Sequence, residues 1–156
     1  MNIVFSLASK QDIPQLIDLR IAYMLDDFGT VTPHEKECMT SQLNDYFARK
    51  LGDELVAFIA KDDEIIVSVA YLHIIEMPAN SILLNGLYGK VLSVYTLPEY
   101  RCNGLCTRLM ENLIEYGRAK GLGRIDLDAR EEAYPIYKRL GFKDVEHRYT
   151  SMRYTF

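Results

Sequence analysis

Between Lys90 and Tyr116 the hydrophobic pattern changes its period. Lys90–Leu97 reads as a strand and stops at Pro98, which biases its predecessor to extended backbone and cannot join a central ladder. From Gly104 onward, Leu105, Leu109, Leu113 and Tyr116 recur at a period of about 3.6, while Arg108, Glu111, Glu115 and Arg118 lie on other faces. The short loop Glu99-Tyr100-Arg101-Cys102-Asn103-Gly104 joins the two patterns. The first N–H groups of the following helix have no internal partner, and the helix dipole adds positive potential where they point. Gly104 removes a Cβ from that spot and Arg101 brings a full charge, so the junction has the makings of an anion-binding helix N-terminus. The same residues also suit a plain connection in which Arg101 is a solvated surface charge.

The rest of the chain narrows the class. A length of 156 residues suits one domain with a sizeable core. Apolar residues make up 49% and charged residues 26%, a globular rather than a disordered balance. The net charge of -4 argues against a nucleic-acid partner, because displacing phosphate counterions needs a basic face. No stretch is long and apolar enough for a membrane helix, since Ser68 and His73 interrupt the run Ile65–Ile75. Met1-Asn2-Ile3-Val4-Phe5 lacks the basic flank of a signal peptide. Three cysteines make no disulfide framework, so a reducing cytoplasm is the expected compartment.

Element by element, residues 3–8 read as a strand, 12–27 as a helix with Pro14 in its first turn, and 34–50 as a second helix started by Thr32 or Pro33. Leu55–Ala60 and Ile65–Ile75 form an expected antiparallel hairpin about Lys61-Asp62-Asp63-Glu64. Residues 77–87 are a connection. After the helix that follows Gly104, Ile125, Leu127 and Ala129 alternate with charged residues as a strand, 131–140 reads as a helix ending at Gly141, and 143–156 reads as strand. The order β-α-α-β-β-β-α-β-α-β predicts an α/β (α+β) fold with a mixed, mostly antiparallel sheet and helices on both faces.

The segment from Tyr95 to Thr107 resembles the coenzyme A signature of the GNAT acetyltransferase superfamily, arginine-x-x-glycine-x-glycine or alanine, after a strand that ends in proline-glutamate-tyrosine. A second segment, Ala133-Tyr134-Pro135-Ile136-Tyr137-Lys138-Arg139-Leu140-Gly141-Phe142, resembles that family's alanine…tyrosine…glycine-phenylalanine helix. The spacing of the two and the element order fit over nearly the whole chain. Two positions depart from the pattern: Cys106 replaces the last glycine or alanine of the loop, and Asp128-Ala129-Arg130 stands where many relatives carry asparagine.

The resemblance implies one GNAT domain over residues 1–156, with splayed central strands, that transfers an acetyl group from acetyl-CoA directly to an amine acceptor. It implies that Arg101, Cys102, Asn103, Gly104, Leu105, Cys106 and Thr107 hold the pyrophosphate, and that the backbone of Val94, Tyr95 and Thr96 pairs with the pantetheine arm. By the same resemblance Tyr137 is the general acid that protonates the leaving sulfur; on residue pattern alone it reads as a core aromatic, and Tyr134 is a rival. Glu76, His73 and Asp27 are candidate bases, and Asp26 and Asp27 are placed to attract a cationic acceptor. The acceptor wall is expected from residues 27–34 and 76–89. Cys102 and Cys106 flank a helix N-terminus, which lowers a thiol pKa, but their spacing is neither a redox nor a zinc motif, and no metal is expected. Partners are then acetyl-CoA and an amine, without nucleic acid or membrane, and a homodimer through edge strands is compatible with the fold. A catalytically silent acyl-CoA-binding module is the alternative.

Overall fold

A computed structural model describes residues 1–156. Its elements are β1 (Ile3–Leu7), α1 (Ile13–Phe28), α2 (Pro33–Lys50), β2 (Leu55–Asp62), β3 (Ile65–Glu76), β4 (Leu87–Thr96), α3 (Leu105–Ala119), β5 (Ile125–Asp126) and α4 (Tyr134–Arg139). Local chemistry sets the helix ends. Thr32 caps α2, accepting from the Glu35 N–H at 3.2 Å, while the Glu35 carboxylate accepts from the Thr32 N–H at 2.7 Å. Ahead of α1, buried Asp12 accepts from the Ser9 N–H at 2.7 Å and pairs with Lys61 at 2.8 Å, tying the helix start to β2.

The strands lie in sequence order in one sheet, antiparallel from β1 to β4 and parallel between β4 and β5. Helices cover both faces, and each face has its own core. Leu55, Ala57 and Ile59 of β2 point towards α1 and α2, with Leu16, Phe47 and Tyr71. Val56, Phe58 and Ala60 point the other way, towards Leu109, Met110 and Leu113 of α3 and Tyr137 of α4. Burial on both faces is why β2 and β3 read as continuous apolar runs instead of alternating ones.

Three expectations fail at the C-terminal end. The strand read over Ile125–Ala129 is paired only at Ile125 and Asp126, opposite Gly89 and Lys90. The alternation is present, but β4 offers no further partner. The helix read over 131–140 is regular only over Tyr134–Arg139. Residues 143–156, read as strand, form none, and the side chains of Val145, Tyr149, Met152, Tyr154 and Phe156 are exposed. β-Branched and aromatic residues favour a strand only where a neighbouring strand supplies the ladder, and the two-residue β5 does not.

The break between β4 and β5 positions everything that follows. The ladder between β3 and β4 slips after Tyr71, which faces Leu92, so that Val69 faces Tyr95. Ser93 and Val94 thus stand opposite Ala70 alone, which is a β-bulge, and Ser93 takes the left-handed φ of 42° that such a bulge stores. Past Lys90, β4 leaves β5 behind and its far edge has no strand beside it.

Candidate active site

Two cavities meet at the bulge. The first, about 630 Å³, lies on the α3–α4 side and is lined by Val94, Tyr95 and Thr96 of β4, the loop from Tyr100 to Gly104, the start of α3, and α4. The second, about 550 Å³, lies towards α1 and α2 and is lined on β4 by Lys90–Ser93. The changeover from one to the other falls between Ser93 and Val94.

In the first cavity, Gly104 caps α3 with φ 75°, a conformation that strains any residue with a Cβ. A Cβ built there meets nothing within 4 Å, so the space in front of the α3 N–H groups is open. Cys102, in the same loop, is also left-handed, with φ 62°. Arg101 is fixed on three sides: Nε donates to the Thr96 carbonyl at 3.0 Å, Nη2 pairs with Asp26 at 2.9 Å, and the guanidinium sits 5.6 Å from the Tyr95 ring centre. Free N–H groups, positive dipole, open glycine and an arginine together suit a pyrophosphate. The unpaired edge of Val91–Thr96 suits an extended, amide-bearing arm that adds to the sheet as a strand would.

All the positions named from sequence for the cofactor, and Tyr137, line this cavity except Asn103. That side chain turns back, donating to the carbonyls of Tyr100 at 3.1 Å and Arg101 at 3.0 Å, and so shapes the loop. Tyr137 is buried at 6% exposure and lines the cavity with Cys106, Ala133 and Ile136. Burial raises its pKa above the ordinary phenol value, so it stays a proton donor at any physiological pH. Tyr134, the rival, is partly exposed and donates to Asp144 at 2.9 Å, outside the cavity. The expected lowering of the Cys106 thiol is reversed: burial pushes it up.

Among the base candidates, Asp27 lines the second cavity; His73 and Glu76 line neither. Asp27 lies 2.5 Å from Arg130 Nη2 in an ion-pair contact, poorly angled for a hydrogen bond. In the free chain both acidic residues at the end of α1 are therefore matched by arginines, Asp26 by Arg101 and Asp27 by Arg130, and Asp27, the one that lines the second cavity, offers no spare negative charge to a cationic acceptor. Of the expected acceptor wall, Asp27 and Phe28 do line the second cavity, but nothing from residues 76–89 takes part, and α1, α2, β3 and β4 supply most of the lining. Arg20, Tyr23, Tyr71 and Arg130 were missed. Arg20 and Tyr71 did carry a signal, each being a polar group set inside an otherwise apolar run.

The family model described as the Acetyltransferase (GNAT) family matches residues 16–142, which include the bulge, the loop and Tyr137. The chain belongs to this family. Among GNAT relatives, the glucosamine 6-phosphate N-acetyltransferase of Trypanosoma brucei brucei is 37% identical over 60 residues, which span 38% of this chain and 41% of that protein. A predicted acetyltransferase from Clostridium acetobutylicum, solved with acetyl-CoA, superposes with a TM-score of 0.82 at 24% identity over 97% of this chain and 96% of its own. Glucosamine-6-phosphate N-acetyltransferase from Arabidopsis thaliana superposes with a TM-score of 0.66 at 17% identity, over 97% and 99% of the two chains. At those identities the two structural likenesses bear on the GNAT fold, which they share along almost the whole chain.

Proposed function

We propose that this GNAT chain acts as one domain over residues 1–156 and transfers an acetyl group from acetyl-CoA directly to an amine. The observation that carries the reading is the meeting of two cavities at the β4 bulge. One side offers a pyrophosphate seat and an open strand edge, and the other opens onto the same backbone. In this reading the N-terminal N–H groups of α3, with Arg101 and Gly104, hold the pyrophosphate. The backbone of Val94, Tyr95 and Thr96 holds the pantetheine. The amine nitrogen attacks the thioester carbon, the carbon–sulfur bond breaks, the Tyr137 hydroxyl gives its proton to the leaving sulfur, and the proton that the nitrogen sheds passes through solvent and restores the phenol. A Val94 N–H released by the bulge polarises the thioester carbonyl, a contribution of roughly 3 kcal/mol for one such donor. The free thiols Cys38, Cys102 and Cys106 suit a reducing cytoplasm, and two copies pairing through edge strands fit the same reading.

Thiol release with acetyl-CoA and a panel of amines tests it, comparing wild type with Tyr137→Phe. The expected result is amine-dependent release whose kcat falls about 100-fold in the variant, the lower range for a lost general acid, with acetyl-CoA affinity kept. If acetyl-CoA raises the melting temperature but no amine accelerates release, the chain is a silent acyl-CoA-binding module instead. No helix is long and apolar enough to cross a membrane, so the assay needs no lipid.

A further inference from the structure

Resting on the acetyl-transfer reading, we infer that the acceptor is an amine that also carries an anionic group, a carboxylate or a phosphate, seated by Arg20 and Tyr71 in the cavity between α1, α2 and β4. Charge matching comes first. Four charged side chains line that cavity. Asp27 is matched by Arg130 at 2.5 Å, and Lys90 by Asp128 at 2.8 Å. Arg20 alone has no carboxylate within 4.0 Å. Its one hydrogen bond within the chain runs from Nη1 to the Ser93 hydroxyl on the bulge, and its guanidinium stacks 5.4 Å from the Tyr23 ring centre. Most donors of a half-buried guanidinium are thus left over, and a guanidinium fits carboxylate and phosphate oxygens two at a time.

The second observation is independent. Tyr71 is 4% exposed and lines the same cavity, and its hydroxyl is buried without any hydrogen-bond partner. A buried hydroxyl left unpaired is costly, and such groups are rare in folded chains. Phe47 stacks on its ring at 5.8 Å and cannot serve it. An anionic oxygen bound to Arg20 supplies the acceptor that this donor lacks. The seat also lies beside the reaction: Ser93, which Arg20 holds, precedes Val94, where the cavities change over. An anion held there fixes the amine a few bonds away, next to the thioester. A polycationic acceptor meets the opposite situation, because the one unmatched charge in its path is positive.

Steady-state kinetics with acetyl-CoA and four acceptor groups test the inference: amino acids, amino-sugar phosphates, uncharged amino sugars and polyamines. Amines with a carboxylate or phosphate should be preferred, and the first two groups tell which anion it is. Arg20→Leu should raise KM for the preferred acceptor about 10-fold or more, as expected for a lost charged hydrogen bond, with acetyl-CoA affinity unchanged and Arg20→Lys restoring part of the loss. Tyr71→Phe should raise KM while the melting temperature holds or rises, since the hydroxyl bonds nothing in the free protein. Preference for polyamines or uncharged amines overturns the inference and leaves acetyl transfer standing. So does an Arg20→Leu variant that lowers kcat equally for every amine without moving KM, which would mean that Arg20 only braces the bulge. Absence of turnover with all four groups, with acetyl-CoA still bound, overturns the transfer reading itself.

Discussion

Asp26 is the residue whose removal should improve the protein's grip on acetyl-CoA. It lines the same cleft as the Gly104 loop and pairs with Arg101, the cation we propose for the pyrophosphate. Freeing Arg101 requires that pair to be given up. The two side chains are 42% and 38% exposed, so the pair is a surface one worth about 0.5 kcal/mol. The Asp26 carboxylate also repels the phosphates. Taking about 7 Å and a dielectric of about 80, each phosphate charge costs about 0.6 kcal/mol, reduced to about 0.25 by a Debye length of about 8 Å. With two such charges the terms sum to about 1 kcal/mol, so Asp26→Asn should tighten acetyl-CoA binding about 5-fold. Calorimetric titration reads this directly, and the repulsive share should fade in about 1 M salt, where the Debye length is about 3 Å. Weaker binding in Asp26→Asn would refute the reasoning: it would mean that Asp26 aims Arg101 at the phosphates instead of competing with them.

Two further outcomes follow from particular contacts. Gly104→Glu should abolish acetyl-CoA binding while circular dichroism keeps its native shape, because it places a Cβ at φ 75° and a negative charge in the open space before α3; unchanged affinity would remove the loop from the site. Asp12→Asn should cost about 2 kcal/mol at neutral pH, the scale of lost hydrogen bonds to a charged group. Burial raises the Asp12 pKa, but the bonds from Lys61 and Ser9 outweigh it and hold the carboxyl below its usual range. Its contribution is therefore present above the unfolded-chain value of about 3.9 and is lost as pH falls through the lower folded value. The melting-temperature gap between wild type and Asp12→Asn should accordingly be full at pH 7 and close below about pH 4; a gap that persists in acid would assign the effect to packing.

What the sequence determined is local. The Pro98 stop, the glycine before Leu105 and the helical spacing from Leu105 to Tyr116 belong to neighbouring residues, so the α3 N-terminus and its loop are legible without any fold. The two-sided burial of β2 and β3 is legible too, as unbroken apolar runs. The tertiary structure decided the rest, because it depends on partners distant in the chain. The bulge exists only in the register of β4 against β3, and nothing in Leu92-Ser93-Val94 marks it. β5 is two residues long because β4 diverges from it, whatever its own alternation suggests. Asp26 and Asp27 look like a free acidic pair until α1 is docked and Arg101 and Arg130 reach them from 75 and roughly a hundred residues away in sequence, a distance no periodicity rule spans. Those pairs remove the free acidic charge, and Arg20 is left as the unmatched one from which we infer the acceptor's chemistry.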